Sequence, residues 1–151
     1  MSREQGLSGF DIAFDEARAA AGRGEVPIGA AILREGELLA RAGNRMRECR
    51  DPTAHAEMLA IREACARLGS ERLIGADLYV TLEPCPMCAT AISFARIRRL
   101  YYSAGDPKGG AVENGPRLYT QPSCHHAPEV YPGIREQEAA EMLRAFFRDR
   151  R

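Results

Sequence analysis

The stretch TLEPCPMCATA, residues 81–91, marks a change from strand to helix on which the interpretation of the whole chain depends. It follows a run rich in β-forming residues, and Pro84 ends that run because proline cannot donate to a β ladder. Pro86 stands where a new helix can begin, and the residues after it supply the helix body. The sequence therefore predicts a strand followed directly by a helix, with Cys85 and Cys88 at the start of that helix.

Cys85 and Cys88 have the spacing of a metal site. Residues three apart lie about one turn apart on the same helix face, so both sulfurs can reach one ion at the roughly 2.3 Å of a zinc–thiolate bond. A third ligand, His55, occurs upstream in DPTAHAEMLA, residues 51–60. Three protein ligands without an evident fourth are typical of a catalytic zinc, which keeps one position for water, whereas a structural zinc is closed by four.

Glu57, two residues after His55, is the predicted proton carrier. Zinc lowers the pKa of bound water from about 15.7 to about 7, and a carboxylate beside the metal can take the proton and pass it to a leaving group. Residues two apart on an ideal helix point about 200° away from each other, given roughly 3.6 residues per turn. We therefore expect His55 and Glu57 to lie at the first turn of a helix, immediately after Pro52 and Thr53.

Taken singly, these residues also have purely structural explanations. A lone histidine on a helix is more often packed or exposed than metal-bound, and two cysteines in an alanine-rich helix can simply fill core space. Together they complete the H-x-E and P-C-x-x-C pattern of zinc nucleobase deaminases, and each half opens a predicted helix. The residues of this pattern are His55, Glu57, Pro84, Cys85 and Cys88. The alternative from another class is a non-catalytic, zinc-stabilised binding module, which has no need of an unliganded carboxylate at Glu57.

The rest of the chain alternates between predicted helices and strands. The first half contains a predicted helix capped by Ser8 and ending at Gly22, and a hairpin over 25–44 with its turn at Glu35 and Gly36. A second predicted helix starts at Asp51, Pro52 and Thr53 and ends at Gly69. The remaining predicted elements are a strand over 76–82, a helix over 86–97, a strand over 98–104 and an amphipathic helix over 136–151. Residues 105–133 are rich in Gly and Pro and have no clear period. This order predicts an α/β fold, a mixed sheet covered by helices.

Composition sets the limits of the interpretation. The 151 residues fit one domain over 1–151, with 21 basic and 21 acidic residues, so any contact with nucleic acid is expected through a local patch. No segment approaches the roughly 20 apolar residues needed to span a membrane, and the start does not look like a targeting signal. We expect a cytoplasmic location and no membrane partner. Five unevenly spaced cysteines do not suggest a disulfide framework, and Cys49 and Cys65 are predicted to be packing residues.

Two further clusters carry weaker signals. Cys124, His125 and His126 resemble a second metal site, but adjacent positions diverge in direction and no ligand pair occurs there at helical spacing, so a ligand role is not favoured. The second cluster is basic and precedes the predicted His55 helix. Its members are Arg45, Arg47 and Arg50. Such a cluster is usually a solvated face, yet its position near the expected mouth of the site suits phosphate contacts.

Beyond the motif, the chain resembles bacterial tRNA-specific adenosine deaminases of the cytidine deaminase superfamily. The resembling stretches are EVPIGAAIL, GNRMRE, DPTAHAEMLAIRE, LYVTLEPCPMCATAI, ARIRRLYYSAGDPKGG and FFRDRR. The resemblance implies a three-layer α/β/α, cytidine-deaminase-like fold with a central mixed five-stranded sheet and helices on both faces. It also implies a homodimer that converts the wobble adenosine of a tRNA anticodon loop to inosine by zinc-dependent hydrolysis.

The resemblance also assigns roles to individual residues. The residues that would bind one zinc ion per subunit are His55, Cys85 and Cys88. Glu57 would shuttle protons, and Asn44 would hydrogen-bond the base. Asp106 and Lys108 would lie beside the flipped-out nucleotide and its backbone, and Arg148 would contact a phosphate. The tRNA anticodon stem-loop is thus the implied partner.

One segment departs from the family pattern, and one alternative function shares the same machinery. Compared with the family that the chain resembles, residues 111–132 are richer in Pro and carry an extra Cys and His pair. No substrate contacts are therefore assigned to this segment from the resemblance. A deaminase of a free base or nucleoside, of the guanine or cytosine type, would use the same zinc and glutamate. The stretches GDPKGG and FFRDRR favour the tRNA substrate over a free base.

Overall fold

The computed structural model describes the backbone of residues 3–150 and the side chains of residues 9–150, and it contains one sheet flanked by helices. The helices are α1 (Arg3–Gly22), α2 (Met46–Cys49), α3 (Ala56–Leu68), α4 (Pro86–Phe94) and α5 (Glu136–Arg148). The strands are β1 (Gly29–Arg34), β2 (Glu37–Gly43), β3 (Ala76–Leu82), β4 (Arg99–Ala104) and β5 (Glu129–Tyr131). A 3-10 turn covers Leu118–Thr120.

The sheet is mixed and its strand order is β2-β1-β3-β4-β5. Strand β1 pairs antiparallel with both β2 and β3, whereas β4 pairs parallel with β3 and with β5. A parallel pair needs a crossover connection, and α4 supplies the one between β3 and β4. The mixed five-stranded sheet is therefore confirmed.

Helices cover both faces of the sheet because successive strand residues point to opposite sides. In β3, Leu78 and Val80 belong to a buried cluster that includes apolar residues of α3 and α4. Tyr79, between them, belongs to a second cluster with Phe10 and Phe14 of α1 and with Ala139 of α5. The three-layer α/β/α arrangement is thus confirmed, with α3 and α4 in one layer and α1 and α5 in the other.

The hairpin turn lies where the sequence predicted it. Glu35 and Gly36 have φ angles of 52° and 79°, and two consecutive positive φ angles are what the commonest two-residue hairpin turn requires. The second turn residue is Gly36, and glycine takes a positive φ angle without a steric penalty. The turn sets the pairing of Arg34 with Glu37 and of Leu33 with Leu38, and after a register shift between Leu33 and Ile32 the pairing continues to Gly29 and Gly43.

Several predicted helix boundaries were wrong. Helix α1 begins at Arg3, so Ser8 lies inside it and is not a cap; the helix-favouring residues before Ser8 extend the helix upstream. Helix α3 begins only at Ala56, because the Asp51 carboxylate accepts hydrogen bonds from the backbone N–H and the hydroxyl of Thr53 and forms a turn there. Helix α4 ends at Phe94, and the four-residue α2 is too short to show a period.

The segment 105–133 contains two elements that the pattern analysis missed, the 3-10 turn and β5. Strand β5 has only three residues, too few for an alternation to be recognised. Its pairing with β4 comes from tertiary contacts, among them the stacking of Tyr131 on Tyr101 with ring centroids 5.0 Å apart. The fifth strand, which only the family resemblance implied, is present.

The cysteines outside the CPMC stretch behave differently from one another. Cys65 packs against the core, as predicted. Cys49 is exposed, so its prediction as a packing residue was wrong; the short α2 buries none of its residues. All five cysteines are free thiols. Across residues 3–150, none of the helices has the length and apolar character to cross a membrane.

Candidate active site

The three predicted metal ligands converge. The His55 Nδ1 atom lies 3.6 Å from the Cys85 Sγ and 3.5 Å from the Cys88 Sγ, and ligand atoms of all three residues lie within 4.8 Å of one another. A tetrahedral zinc with bonds of about 2.3 Å to sulfur and about 2.0–2.1 Å to nitrogen separates such atoms by about 3.6 Å. The donor set and its spacing therefore fit a zinc ion.

Helix N-termini place these ligands. His55 is the N-cap residue of α3, with φ −75° and ψ 153°, and Cys85 is the N-cap residue of α4, with φ −73° and ψ 173°. Cys88 lies in the first turn of α4, after Pro86 at its first position. Because the N-terminal end of a helix carries partial positive charge, it favours a thiolate over a thiol. Both helices thus point their positive ends at the metal position.

Glu57 is a buried carboxyl beside this cluster. It is the second residue of α3 and is only 4% exposed. Burial raises the pKa of Glu57 to about 7, although hydrogen bonds with its own backbone N–H and with Cys88 oppose the rise. Since His55 has extended rather than helical backbone angles, the two side chains can face one place despite being two residues apart. The prediction that they lie at the first turn is confirmed.

The pKa values of the Cys85 and Cys88 thiols are shifted in opposite directions. A hydrogen bond from Cys88 is the main reason that the pKa of Cys85 falls to about 4, and a hydrogen bond with His55 acts in the same direction. The same thiol pair and burial raise the pKa of Cys88. A divalent cation bound there would favour the thiolate form of both cysteines.

Asn44 is buried behind the first turn of α3. Its Oδ1 atom accepts a hydrogen bond of 2.8 Å from the backbone N–H of Ala56, the residue between His55 and Glu57. Its own carbonyl accepts a bond of 3.0 Å from the Arg23 guanidinium. Asn44 thus satisfies a free donor at the start of α3 and supports the metal site, a role that the sequence analysis missed. Its contact with a base stays a prediction.

Asp106 and Lys108 lie in the loop after β4, which is hydrogen-bonded to the segment between β3 and α4. The Asp106 carboxylate accepts bonds from the backbone N–H groups of Lys108, at 3.2 Å, and Gly109, at 3.0 Å, while the Lys108 side chain is exposed. The backbone N–H of Ala111 donates to the Pro84 carbonyl at 2.9 Å, one residue before the first cysteine ligand. The structure therefore brings this loop against the start of α4.

Arg148 is not brought to the metal ligands. It is the last residue of α5, in the layer on the opposite face of the sheet from α3 and α4. Its side chain is 68% exposed, and its carboxylate neighbour Asp149 is 3.9 Å away. A phosphate contact by Arg148 stays a prediction, and it would have to involve a part of the nucleic acid distant from the reacting base.

Residues 4–104, which contain all the ligands and Glu57, match the sequence model of the cytidine and deoxycytidylate deaminase zinc-binding region. The chain belongs to this deaminase family. A tRNA-specific adenosine deaminase of Agrobacterium fabrum (strain C58 / ATCC 33970) is 65% identical over 142 residues, which cover 94% of this chain and 93% of that relative. The similarity thus extends well beyond the zinc-binding region.

Two solved structures from the wider deaminase set are also similar. One comes from a study of A-to-I editing by tRNA:A34 deaminases at the wobble position of transfer RNA; it is 64% identical, has a TM-score of 0.89 and covers 91% of this chain and 99% of its own. The other is a guanine deaminase from Bacillus subtilis, 30% identical with a TM-score of 0.66, covering 98% of this chain and 95% of its own. The deaminase fold is therefore common to proteins with different substrates.

Two buried carboxylates of this deaminase were missed by the sequence analysis. Glu25 accepts hydrogen bonds from the backbone N–H groups of Arg47, at 3.2 Å, and Glu48, at 2.9 Å, and so caps the start of α2. Glu83 binds the loop that contains Asp106. Glu83 directly precedes Pro84 and Glu25 lies two residues before Pro27, and a lone acidic residue close to a proline was the available signal.

The cluster at Cys124, His125 and His126 is held by loop contacts. The His126 Nε2 atom donates to the Ile97 carbonyl at 2.7 Å, and the Cys124 thiol donates to the His126 carbonyl at 3.2 Å. His125 is exposed. In the part of the chain that the structure describes, the group of three side chains that could bind a metal ion consists of His55, Cys85 and Cys88.

Proposed function

We propose that this chain is a zinc-dependent hydrolase that deaminates the wobble adenosine of a tRNA anticodon loop to inosine. The observation that carries the proposal is an intact site of three converging ligands with a buried carboxylate, in a chain 65% identical over nearly its whole length to a tRNA-specific adenosine deaminase. The site supports hydrolytic deamination, and the similarity supports the tRNA substrate.

The proposed metal ligands are the His55 Nδ1 and the sulfurs of Cys85 and Cys88, with one zinc ion per chain. Zinc bound by three such ligands supplies a water molecule whose pKa is near 7. The remaining tasks fall to the protein: to hold the base, to exclude bulk water and to move protons.

Glu57 is the proposed proton carrier. In the net reaction water adds at C6 of adenine, the bond from C6 to the exocyclic nitrogen breaks, and ammonia leaves. A carboxylate at the position of Glu57 can take a proton from the water, pass it to the ring nitrogen, and return a proton to the departing amine. Its burial beside the ligands shields these transfers from solvent.

The proposed substrate contacts are Asn44, Asp106, Lys108 and Arg148. The Oδ1 of Asn44 already accepts a hydrogen bond from the Ala56 N–H. Among the described residues none accepts a hydrogen bond from the Asn44 Nδ2 group, so this group is the donor proposed for the base. The exposed Lys108 is proposed to contact the nucleotide backbone beside Asp106. Unpaired loop bases are the ones that a protein can most easily splay out and read.

We also propose a homodimer in the cytoplasm. Phe94 of α4 is 72% exposed and lines an apolar cavity together with Leu118 and Tyr119. Large exposed aromatic side chains beside an apolar cavity are typical of protein contact surfaces, and a second copy would cover them. Sedimentation analysis of the purified protein tests this, and a monomer at micromolar concentration would contradict it.

The decisive experiment offers the zinc-loaded protein anticodon stem-loops with adenosine at the wobble position. Inosine formation at that position is the expected result, and the same stem-loop with its adenosine moved one position along is the matched control. Guanine, cytosine and adenosine are supplied in parallel reactions. Turnover of a free base without inosine in the stem-loop would overturn the proposal.

The second candidate function is deamination of a free base. It is supported by the 30% identity with the guanine deaminase, which covers almost the whole of both chains. The higher identity with the tRNA-specific enzyme ranks this candidate second. The free-base arm of the same experiment decides between them.

A further inference from the structure

Glu83 is a buried carboxylate that binds a single loop. It follows β3 directly, lies two residues before Cys85 and is 2% exposed. Five donors, all in the loop of residues 105–114, converge on its two oxygens. They are the backbone N–H groups of Asp106 (2.9 Å), Val112 (3.0 Å), Glu113 (2.9 Å) and Asn114 (3.1 Å), and the side-chain amide of Asn114 (2.6 Å).

The 105–114 loop is held by this carboxylate together with bonds to Asp106 and the burial of Ala111 and Val112. The loop has no helix or strand, so its backbone donors have no ladder to join, and donors left without partners in a buried place are costly. Bonds to a charged acceptor are shorter and stronger than those between neutral groups. The loop also wraps closely: a Cβ added to Gly110 would lie 2.5 Å from the Glu83 Cδ and 2.6 Å from the Asp106 carbonyl oxygen.

The same carboxylate belongs to the segment that leads into the metal ligands. The Glu83 N–H donates to the Ala104 carbonyl at 2.8 Å, and the Ala111 N–H donates to the Pro84 carbonyl at 2.9 Å. The loop is therefore joined to the start of α4 by side chain and by backbone. Glu83 thus connects the loop that contains Asp106 to the segment that leads to Cys85.

We propose that Glu83 is a positioning residue that sets the place of the 105–114 loop relative to the metal ligands, and through the loop controls substrate binding. It touches neither the metal position nor the substrate in this proposal. The effect on substrate rests on the proposed function, because Asp106 and Lys108 are the proposed nucleotide contacts. The effect on the loop itself does not depend on any substrate.

Glu83→Gln tests the proposal in the full-length, zinc-loaded protein. The carboxamide keeps the shape but turns an NH₂ group toward backbone donors. We expect the amides of Asp106, Val112, Glu113 and Asn114 to exchange with deuterium at least tenfold faster, with less than twofold change in β1 and β3. Zinc content should be unchanged. For the stem-loop, KM should rise at least tenfold and kcat should fall less than threefold.

Asp77→Asn is the matched control. Asp77 is also a buried carboxylate of β3, but it lies at the other end of the strand, where it accepts two bonds from Arg98 of 3.0 Å and 2.7 Å. This variant should leave the exchange of the 105–114 loop and the KM unchanged. Glu83→Gln would be a merely structural change if exchange accelerated uniformly, if zinc were lost, or if both variants behaved alike, and the proposal would then be wrong.

Gly110→Ala provides a second route if Glu83→Gln does not fold. It keeps the carboxylate but forces the loop away from it, since the new Cβ has no room. The same local exchange and the same rise in KM are expected. Unchanged deuterium exchange in the 105–114 loop would overturn the proposal. Failure of the wild-type protein to deaminate the stem-loop would overturn only the proposed function, because the exchange measurement needs no substrate.

Discussion

The metal centre and the 105–114 loop adjoin each other but are held in place by different means. The proposed metal ligands stand at the starts of α3 and α4, whose apolar residues pack into the main core. The loop has no regular structure; Ala111 and Val112 anchor it in the same core, and several of its backbone donors converge on Glu83. Regular helices with apolar packing therefore support the proposed metal centre, whereas the loop relies in addition on hydrogen bonds to one carboxylate. Chemistry and substrate binding should accordingly be separable by substitution.

Removal of a metal ligand should have the largest effect, and this effect should be confined to the metal centre. Cys88→Ala leaves two ligands, so we expect zinc to be lost and deamination to fall to background. Elemental analysis and inosine formation measure this, and treatment of the wild type with a chelator should reproduce it, with recovery on adding zinc. Full activity in a zinc-free Cys88→Ala protein would contradict the assignment.

Loss of the proton carrier should be next in size. Glu57→Gln keeps the volume and the zinc but cannot carry the proton, so kcat should fall by about 10³-fold, within the range known for general acid–base groups. Single-turnover inosine formation with measured zinc content checks it. If the variant retained wild-type kcat, or if it lost its zinc, the division of roles between Glu57 and the ligands would be wrong.

Asn44 supports the start of α3 on the metal side, and two variants separate this role from its proposed contact with the base. Asn44→Ala removes the acceptor for the Ala56 N–H and should lower the free energy of unfolding by about 1 kcal/mol, the usual cost of a lost cap. Asn44→Asp keeps that acceptor but loses the Nδ2 donor. We expect it to keep most of the stability while kcat/KM falls at least tenfold. Equal activity in Asn44→Asp and the wild type would remove Asn44 from the base contacts.

The smallest effect is expected from Arg148, which lies outside both regions. Arg148→Ala should weaken stem-loop binding severalfold, leave kcat unchanged, and lower the slope of log affinity against log salt by roughly one, as for the loss of one phosphate contact. Binding at several salt concentrations measures it, with Arg144→Ala, at another exposed arginine of α5, as the control. Identical salt slopes for wild type and variant would exclude Arg148 as a phosphate contact.

The sequence predicted most of the long elements because each has a local cause, and the three predicted metal ligands lie together in the structure. The hairpin turn follows from turn chemistry, β3 from its β-forming residues, and the start of α4 from Pro86. The start of α1 was missed because the end residues of a helix carry weak local signals, and α2 was missed because four residues are too few to show a period. Strand β5 exists through pairing with β4, and no three-residue segment can show that in its own pattern.

The amino-acid sequence by itself determined which side chains are available for the proposed zinc binding and proton transfer, namely His55, Glu57, Cys85 and Cys88. Only the tertiary structure decided that they converge, because His55 lies 30 residues before Cys85 and 33 before Cys88, and a separation along the chain does not fix a distance in space. It alone revealed that Glu83 binds the 105–114 loop. Bonds between residues 23 to 31 positions apart depend on how strands and loops meet in space, and local sequence carries no record of that.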